Sequence, residues 1–254
     1  FGIKFSYGKF YDIFPKISHA GNLSHVEESV QMAPLGNSLQ SNLVYSYKDK
    51  YRFSWGLHHA SLAFDAYHKM NIKADELTIH DPSMDSQRSY NINYNISDGK
   101  INSSLLVSFF DVAPGQHNYT LDSFDFSMKI NKTIKTLSIP LLIERKLLNK
   151  NNFNAYLQVG SSLNYRYKVK TQIISSNETC KELCLINGFE PMISSVMSSS
   201  STLTVDGLLG LALEYKLSPR LSIGLNPQSS ISFNNPANLK RYELSTYVFY
   251  HFNK

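Results

Sequence analysis

The sequence predicts an all-β protein: a closed antiparallel up-and-down transmembrane barrel, eight strands around, with short turns at one end and long loops at the other. Three observations carry this. Apolar residues recur at every second position over long stretches, the opposite faces of those stretches are polar with charges at mid-strand, and the connections alternate between very short and long.

The stretches follow in order. Phe1, Ile3, Phe5 and Tyr7 alternate with Gly2, Lys4, Ser6 and Gly8. Leu39, Leu43, Tyr45 and Tyr47 stand against Gln40, Asn42 and Ser46, and after a break at Lys48-Asp49-Lys50 the pattern resumes as Phe53, Trp55 and Leu57. At His58-His59-Ala60 the apolar parity moves to Leu62 and Phe64, which predicts a β-bulge. Leu137, Ile139, Leu141 and Ile143 form the fourth stretch. The fifth is the clearest: odd positions from Phe153 to Val169 are mostly apolar and even positions from Asn154 to Lys168 mostly polar or small. That is long for a soluble strand, where about five or six residues is usual. Leu203 to Leu217, Leu221 to Leu225 and Tyr242 to Phe252 complete the eight.

A soluble β-sandwich or lipocalin-like barrel shares this alternation. The inverted, membrane form is favoured by its charges. Lys4, Arg52, Glu144, Arg166, Asp206, Glu214 and Glu243 lie on polar faces and mix both signs, which suits a wet or ion-paired lumen. An eight-stranded barrel is just wide enough for side chains to fill it, so these residues predict a network of pairs in place of an open pore. Tyr and Phe gather toward strand ends, as in Tyr45 and Tyr47, Tyr165 and Tyr167, and Tyr250 and Phe252, where interfacial girdles belong. Short connections fall at 48–50, 148–152 and 218–220, and long ones at 11–38, 68–135, 170–201 and 227–241.

Composition excludes several alternatives. Charged residues make up 18% of the chain, and no run approaches the roughly 18 apolar residues of a membrane-spanning helix. The net charge of +5 would suit nucleic acid or an anionic surface, but the basic residues are scattered and no nucleic-acid-binding motif is present. No metal cluster or phosphate-binding loop stands out, so no cofactor is expected. The opening Phe1-Gly2-Ile3-Lys4-Phe5 reads as the start of a processed mature protein or an excised domain. Residues 1–254 are expected to form one barrel domain with an insertion at about 68–135.

That insertion has its own alternation. Tyr90, Ile92, Tyr94 and Ile96 lead to a turn at Ser97-Asp98-Gly99-Lys100, then Leu105, Val107 and Phe109 follow, and Phe124, Phe126, Met128 and Ile130 lead into Leu137. The segment is either a hairpin above the membrane or two further spanning strands, making ten. As a hairpin it offers Tyr90, Tyr94, Phe109 and Phe110 as partner contacts, since aromatic anchors are enriched in interface hot spots. Cys180 and Cys184 lie in a polar stretch and are expected to form a loop disulfide in an oxidising compartment. His59 and Ser61 share a parity near the outer interface, but no third orienting acid accompanies them, so a catalytic set is incomplete.

Taken together, Phe1-Gly2-Ile3-Lys4, Leu137-Ser138-Ile139-Pro140-Leu141-Leu142, Tyr156-Leu157-Gln158-Val159-Gly160, Gly210-Leu211-Ala212-Leu213-Glu214-Tyr215-Lys216-Leu217 and the closing Tyr250-His251-Phe252 resemble the PorT-like outer-membrane β-barrel proteins of Bacteroidetes, which have eight-stranded OmpA- or OmpX-like barrels. The resemblance implies an integral outer-membrane location and periplasmic termini, and it implies no single activity. The expected function is a non-enzymatic scaffold, anchor or subunit. Its partners would be outer-membrane lipid and lipopolysaccharide and another outer-membrane or cell-surface protein, with no nucleic acid. A small lipid-modifying enzyme or a narrow channel is the alternative.

Overall fold

Alternating sequence becomes strand throughout. The computed structural model describes residues 1–13, 18–19, 26–30, 35–73, 78–84, 87–96, 99–109, 123–180, 184–194, 203–233 and 240–252. Among the described residues, fourteen strands form: β1 (Gly2–Ile13), β2 (Ser18–His19), β3 (Val26–Val30), β4 (Leu35–Tyr47), β5 (Tyr51–Lys73), β6 (Thr78–Met84), β7 (Gln87–Ile96), β8 (Gly99–Phe109), β9 (Ser123–Lys150), β10 (Phe153–Cys180), β11 (Cys184–Ser194), β12 (Leu203–Lys216), β13 (Leu221–Ser232) and β14 (Lys240–His251).

Eight of these close a ring in the order β1-β4-β5-β9-β10-β12-β13-β14, with β14 hydrogen-bonded back to β1 and every pairing antiparallel. The eight-strand expectation holds and the ten-strand alternative does not. The 68–135 segment adds no member to the ring. Its β7–β8 hairpin pairs Ile96 with Gly99 and joins β6 and β11 in a separate four-stranded sheet of order β11-β8-β7-β6. A short β2–β3 hairpin pairs with the upper part of β5.

The short connections lie at one end, together with Phe1 and Phe252, whose backbones are hydrogen-bonded. Lys48 and Asp49 both have positive φ and the Lys50 N–H donates to the Tyr47 carbonyl, a primed turn whose twist matches its flanking strands. Asn151, also at positive φ, serves the two-residue turn between β9 and β10. Gly56 has a packing reason: a Cβ there would collide with the carbonyl of Ser41 and the side chain of Asn42 on β4.

Two faces of opposite polarity follow from the period-two pattern. Leu39, Leu57, Leu141, Leu209, Leu211, Ile223, Leu225 and Val248 point outward and are exposed, while Asn42, Ser54, Glu144, Asn154, Gln158, Glu214, Ser222 and Ser245 point inward and are buried. A soluble barrel has the reverse arrangement, so the belt belongs to a bilayer. Aromatic residues mark its edges: Phe1 contacts Tyr45 and Tyr250 contacts Phe252 near the turns, and Tyr11 stacks on Tyr242 toward the loops.

Strands β5, β9 and β10 run past the belt, and there the polarity inverts, without a change of phase on β5 and β9, while on β10 the register shift between Arg166 and Lys168 moves the outward positions from odd to even numbers. Outward positions of β9 read Ile143, Leu141, Ile139 and Leu137, then Lys135, Thr133, Asn131, Lys129, Ser127 and Asp125. Inward positions become mostly apolar at the same level, with Ala60, Leu62, Ala66, Met128 and Ile130 all buried and Lys132 a buried charged exception. Below this level the exterior is lipid and apolar groups face out; above it the exterior is water and they face in.

The inversion corrects the bulge expected at His58-His59-Ala60. Pairing of β5 with β4 runs unshifted from Tyr47↔Tyr51 to Gly36↔Leu62, and pairing with β9 keeps one register on both sides of these residues. Leu62 and the partly buried Phe64 lie on the lumen side because they pack over Phe10 and Ala60 at its outer end. Register shifts do occur between β9 and β10, at Ala155/Tyr156, Arg166/Lys168 and Ile173/Ser175.

Candidate functional site: the filled lumen and the outer rim

The inward residues of the ring meet at its centre because the barrel is narrow. Arg52 of β5 donates Nη1 to Glu214 Oε2 at 2.7 Å and Nη2 to Glu214 Oε1 at 3.1 Å, the two-pronged geometry that suits guanidinium to carboxylate. Glu144 of β9 lies 3.9 Å from Arg52 and 3.5 Å from Lys4 Nζ, and accepts a hydrogen bond from Gln158 Nε2 at 2.7 Å. Two cations thus face two carboxylates. Aromatic faces complete the packing: the Arg52 guanidinium lies 4.0 Å from the ring centre of Tyr156 and 4.9 Å from that of Phe249, and Lys4 Nζ lies 4.1 Å from Tyr247.

A second polar group sits toward the loop end. Arg241 of β14 donates Nε and Nη2 to Asp12 of β1 at 2.7 and 2.9 Å, with its guanidinium over Phe10. Glu243 accepts from Ser38 Oγ at 2.6 Å and lies 3.6 Å from His58 Nε2. A cavity of about 30 Å³ lies among His58, Asp206, Arg241 and Glu243, and one of about 40 Å³ among Asp12, Arg166, Asp206 and Arg241. Each has room for only a few waters.

The structure therefore brings Lys4, Arg52, Glu144 and Glu214 into one cluster and distributes Arg166, Asp206 and Glu243 around another. Sequence reading missed Asp12 and Arg241 and placed His58 only at the expected bulge. Asp12 continues the inward parity of Lys4 and Ser6 on β1, and Arg241 that of Glu243 and Ser245 on β14, so extending each stretch by a few residues would have found the pair.

On the outer face, His59 Nε2 lies 2.9 Å from the hydroxyl of Tyr167. Ser61 pairs across the sheet with Asn37 and Lys135, so the two residues of the incomplete catalytic set stand at the upper edge of the belt. Beyond the belt, Lys129 Nζ lies 2.8 Å from Asp65, and Asn131 Nδ2 donates to the same carboxylate at 2.8 Å. These contacts, that with Lys129 first, hold the Asp65 carboxyl below its usual range and the Lys129 ammonium above its own. Cys180 and Cys184 end β10 and begin β11, but their side chains lie outside the described residues, as do those of Tyr90, Tyr94 and Phe109; Phe110 lies outside them altogether. No group of His, Cys, Asp and Glu able to hold a metal occurs among the described residues.

No protein-family model and no curated protein matches the chain. Several solved structures are similar. Neisserial surface protein A has a TM-score of 0.38 at 11% identity, with 98% of this chain and 97% of that chain covered. The attachment invasion locus protein Ail of Yersinia pestis has a TM-score of 0.30 at 9% identity, covering 99% and 98%. The outer membrane protease OmpT from Escherichia coli has a TM-score of 0.30 at 8% identity, covering 99% and 97%. At these scores the fold rests on the closed ring and its belt, and not on the likeness.

Proposed function

We propose that this protein is an integral barrel of the outer membrane, with its short turns in the periplasm, that works as a scaffold presenting β structure at the cell surface to another envelope protein. The observation that carries the reading is the run-on of β5, β9 and β10 beyond the apolar belt as ordered, polarity-inverted sheet, accompanied by the separate β6–β7–β8–β11 sheet. Simple anchoring in a bilayer needs only the belt. The filled lumen argues against bulk conduction, since its charges are neutralised side chain to side chain. The PorT-like motifs of the strands support the same assignment at family level.

Gentle detergent extraction followed by affinity capture of the full chain tests it. A stoichiometric envelope protein is expected, lost on deletion of residues 84–118 while the barrel still shows heat-modifiable migration, and retained in His59→Ala. A protein that purifies alone, with the deletion changing nothing in the envelope, overturns the scaffold role. A chain that stays soluble without detergent overturns the membrane reading itself.

A further inference from the structure

Just above the belt, the outward face across three strands is set by register. One row reads His59, Leu137 and Tyr165; the next reads Ser61, Lys135 and Lys168; the next reads Ala63, Thr133 and Lys170. Lys135 and Lys168 are therefore direct cross-strand partners, with Lys170 on the same side of β10. Like charges directly opposite on one face destabilise an antiparallel pair. None of the three lysines has an acidic partner among the described residues. Higher on the same strand, Lys129 is matched by Asp65, so this sheet supplies an acid to a lysine beyond the rim and withholds it at the rim.

We infer that Lys135, Lys168 and Lys170 bind the phosphates of a phosphorylated glycolipid whose acyl chains lie along the belt below them. The inference rests on the outer-membrane reading above. Level decides the ligand class, because Lys135 and Lys168 stand in the first outward row above Leu137 and Lys170 in the second, where lipid headgroups begin. Charge decides between lipids: a phosphodiester carries one negative charge, whereas a phosphomonoester carries about 1.5 to 2, which matches three cations better. Tyr167 adds a sugar-facing surface. The register shift between Arg166 and Lys168 leaves it unpaired on the ladder, and its exposed ring is steadied by His59.

The test uses the full chain in phosphatidylcholine nanodiscs doped in turn with bisphosphorylated lipid A, the same lipid dephosphorylated, and phosphatidylglycerol, with bound lipid read by native mass spectrometry. Selective retention of bisphosphorylated lipid A is expected. Lys135→Gln/Lys168→Gln/Lys170→Gln should lower it by roughly tenfold or more, while Lys48→Gln/Lys50→Gln/Lys150→Gln at the opposite end leaves it unchanged. Should the triple rim variant fail to fold, Lys168→Gln alone is expected to weaken retention by a few-fold. Equal retention of the dephosphorylated lipid or of phosphatidylglycerol, or rim variants that bind like the wild type, overturns the inference. Glycolipid selectivity lost with a protein partner still captured rejects this inference alone; the partner lost with selectivity intact rejects the scaffold alone.

Discussion

Arg52 and Glu214 form a two-pronged ion pair across the lumen, from strands three steps apart around the ring, with Glu214 fully buried. The pair ties β5 to β12, which share no backbone hydrogen bonds. Removing one partner leaves a buried charge unmatched, whereas removing both leaves Lys4 and Glu144 still balanced. Glu214→Gln is expected to destabilise the barrel by about 3 to 5 kcal/mol. Arg52→Met combined with Glu214→Gln should recover a large part of that loss. Urea unfolding in detergent or lipid, followed by heat-modifiable migration, measures both; a double variant as unstable as the sum of the singles would contradict the pairing.

Leu211 of β12 faces outward, pairs with Leu157 of β10 and is 41% exposed in the isolated chain. In a bilayer that surface is covered by acyl chains. Leu211→Lys is expected to cost roughly 2 to 4 kcal/mol of assembly if the position lies near the midplane. Folding yield into vesicles reports it, and an unchanged yield would argue that the belt is not lipid-facing.

The Asp65–Lys129 contact stands beyond the membrane and is exposed to water, so its effect is local and screened by salt. Because the folded Asp65 titrates below its ordinary value, its contribution is present above that value and is lost as pH falls through the lowered one. Lys129 titrates above its ordinary value, so its contribution is complete below that value and is lost as pH rises through the raised one. Hydrogen exchange over residues 62–73 and 125–134 is expected to speed up relative to the barrel on acidification, and Asp65→Asn should abolish that dependence. A dependence that persists in Asp65→Asn would assign it elsewhere.

Cys180 and Cys184 are proposed to form a disulfide at the β10–β11 connection, as their spacing and an oxidising compartment suggest. Mass spectrometry of the non-reduced protein should find no alkylatable thiol. Two alkylated cysteines would refute the bond.

Sequence alone determined the ring. Side-chain parity has a period of two, a bilayer demands apolar groups on one face, and from Phe153 to Tyr165 each residue keeps its face over a long strand, so eight members and the inward direction of Lys4, Arg52, Glu144 and Glu214 could be read from it, while only the structure decided that the 68–135 insertion adds no ninth and tenth. What parity cannot supply is which inward charges meet. The Arg52–Glu214 and Asp12–Arg241 pairs join residues 162 and 229 positions apart, and only closure of β1 on β14 and the narrow bore bring them together. Nor does parity reveal what lies outside a strand. At Ala60 and Leu62 the apolar residues move to the other face because water replaces lipid there, and in one dimension that change of solvent looks the same as a bulge. Tertiary structure separated the two by showing an unbroken register, and with it where the membrane ends.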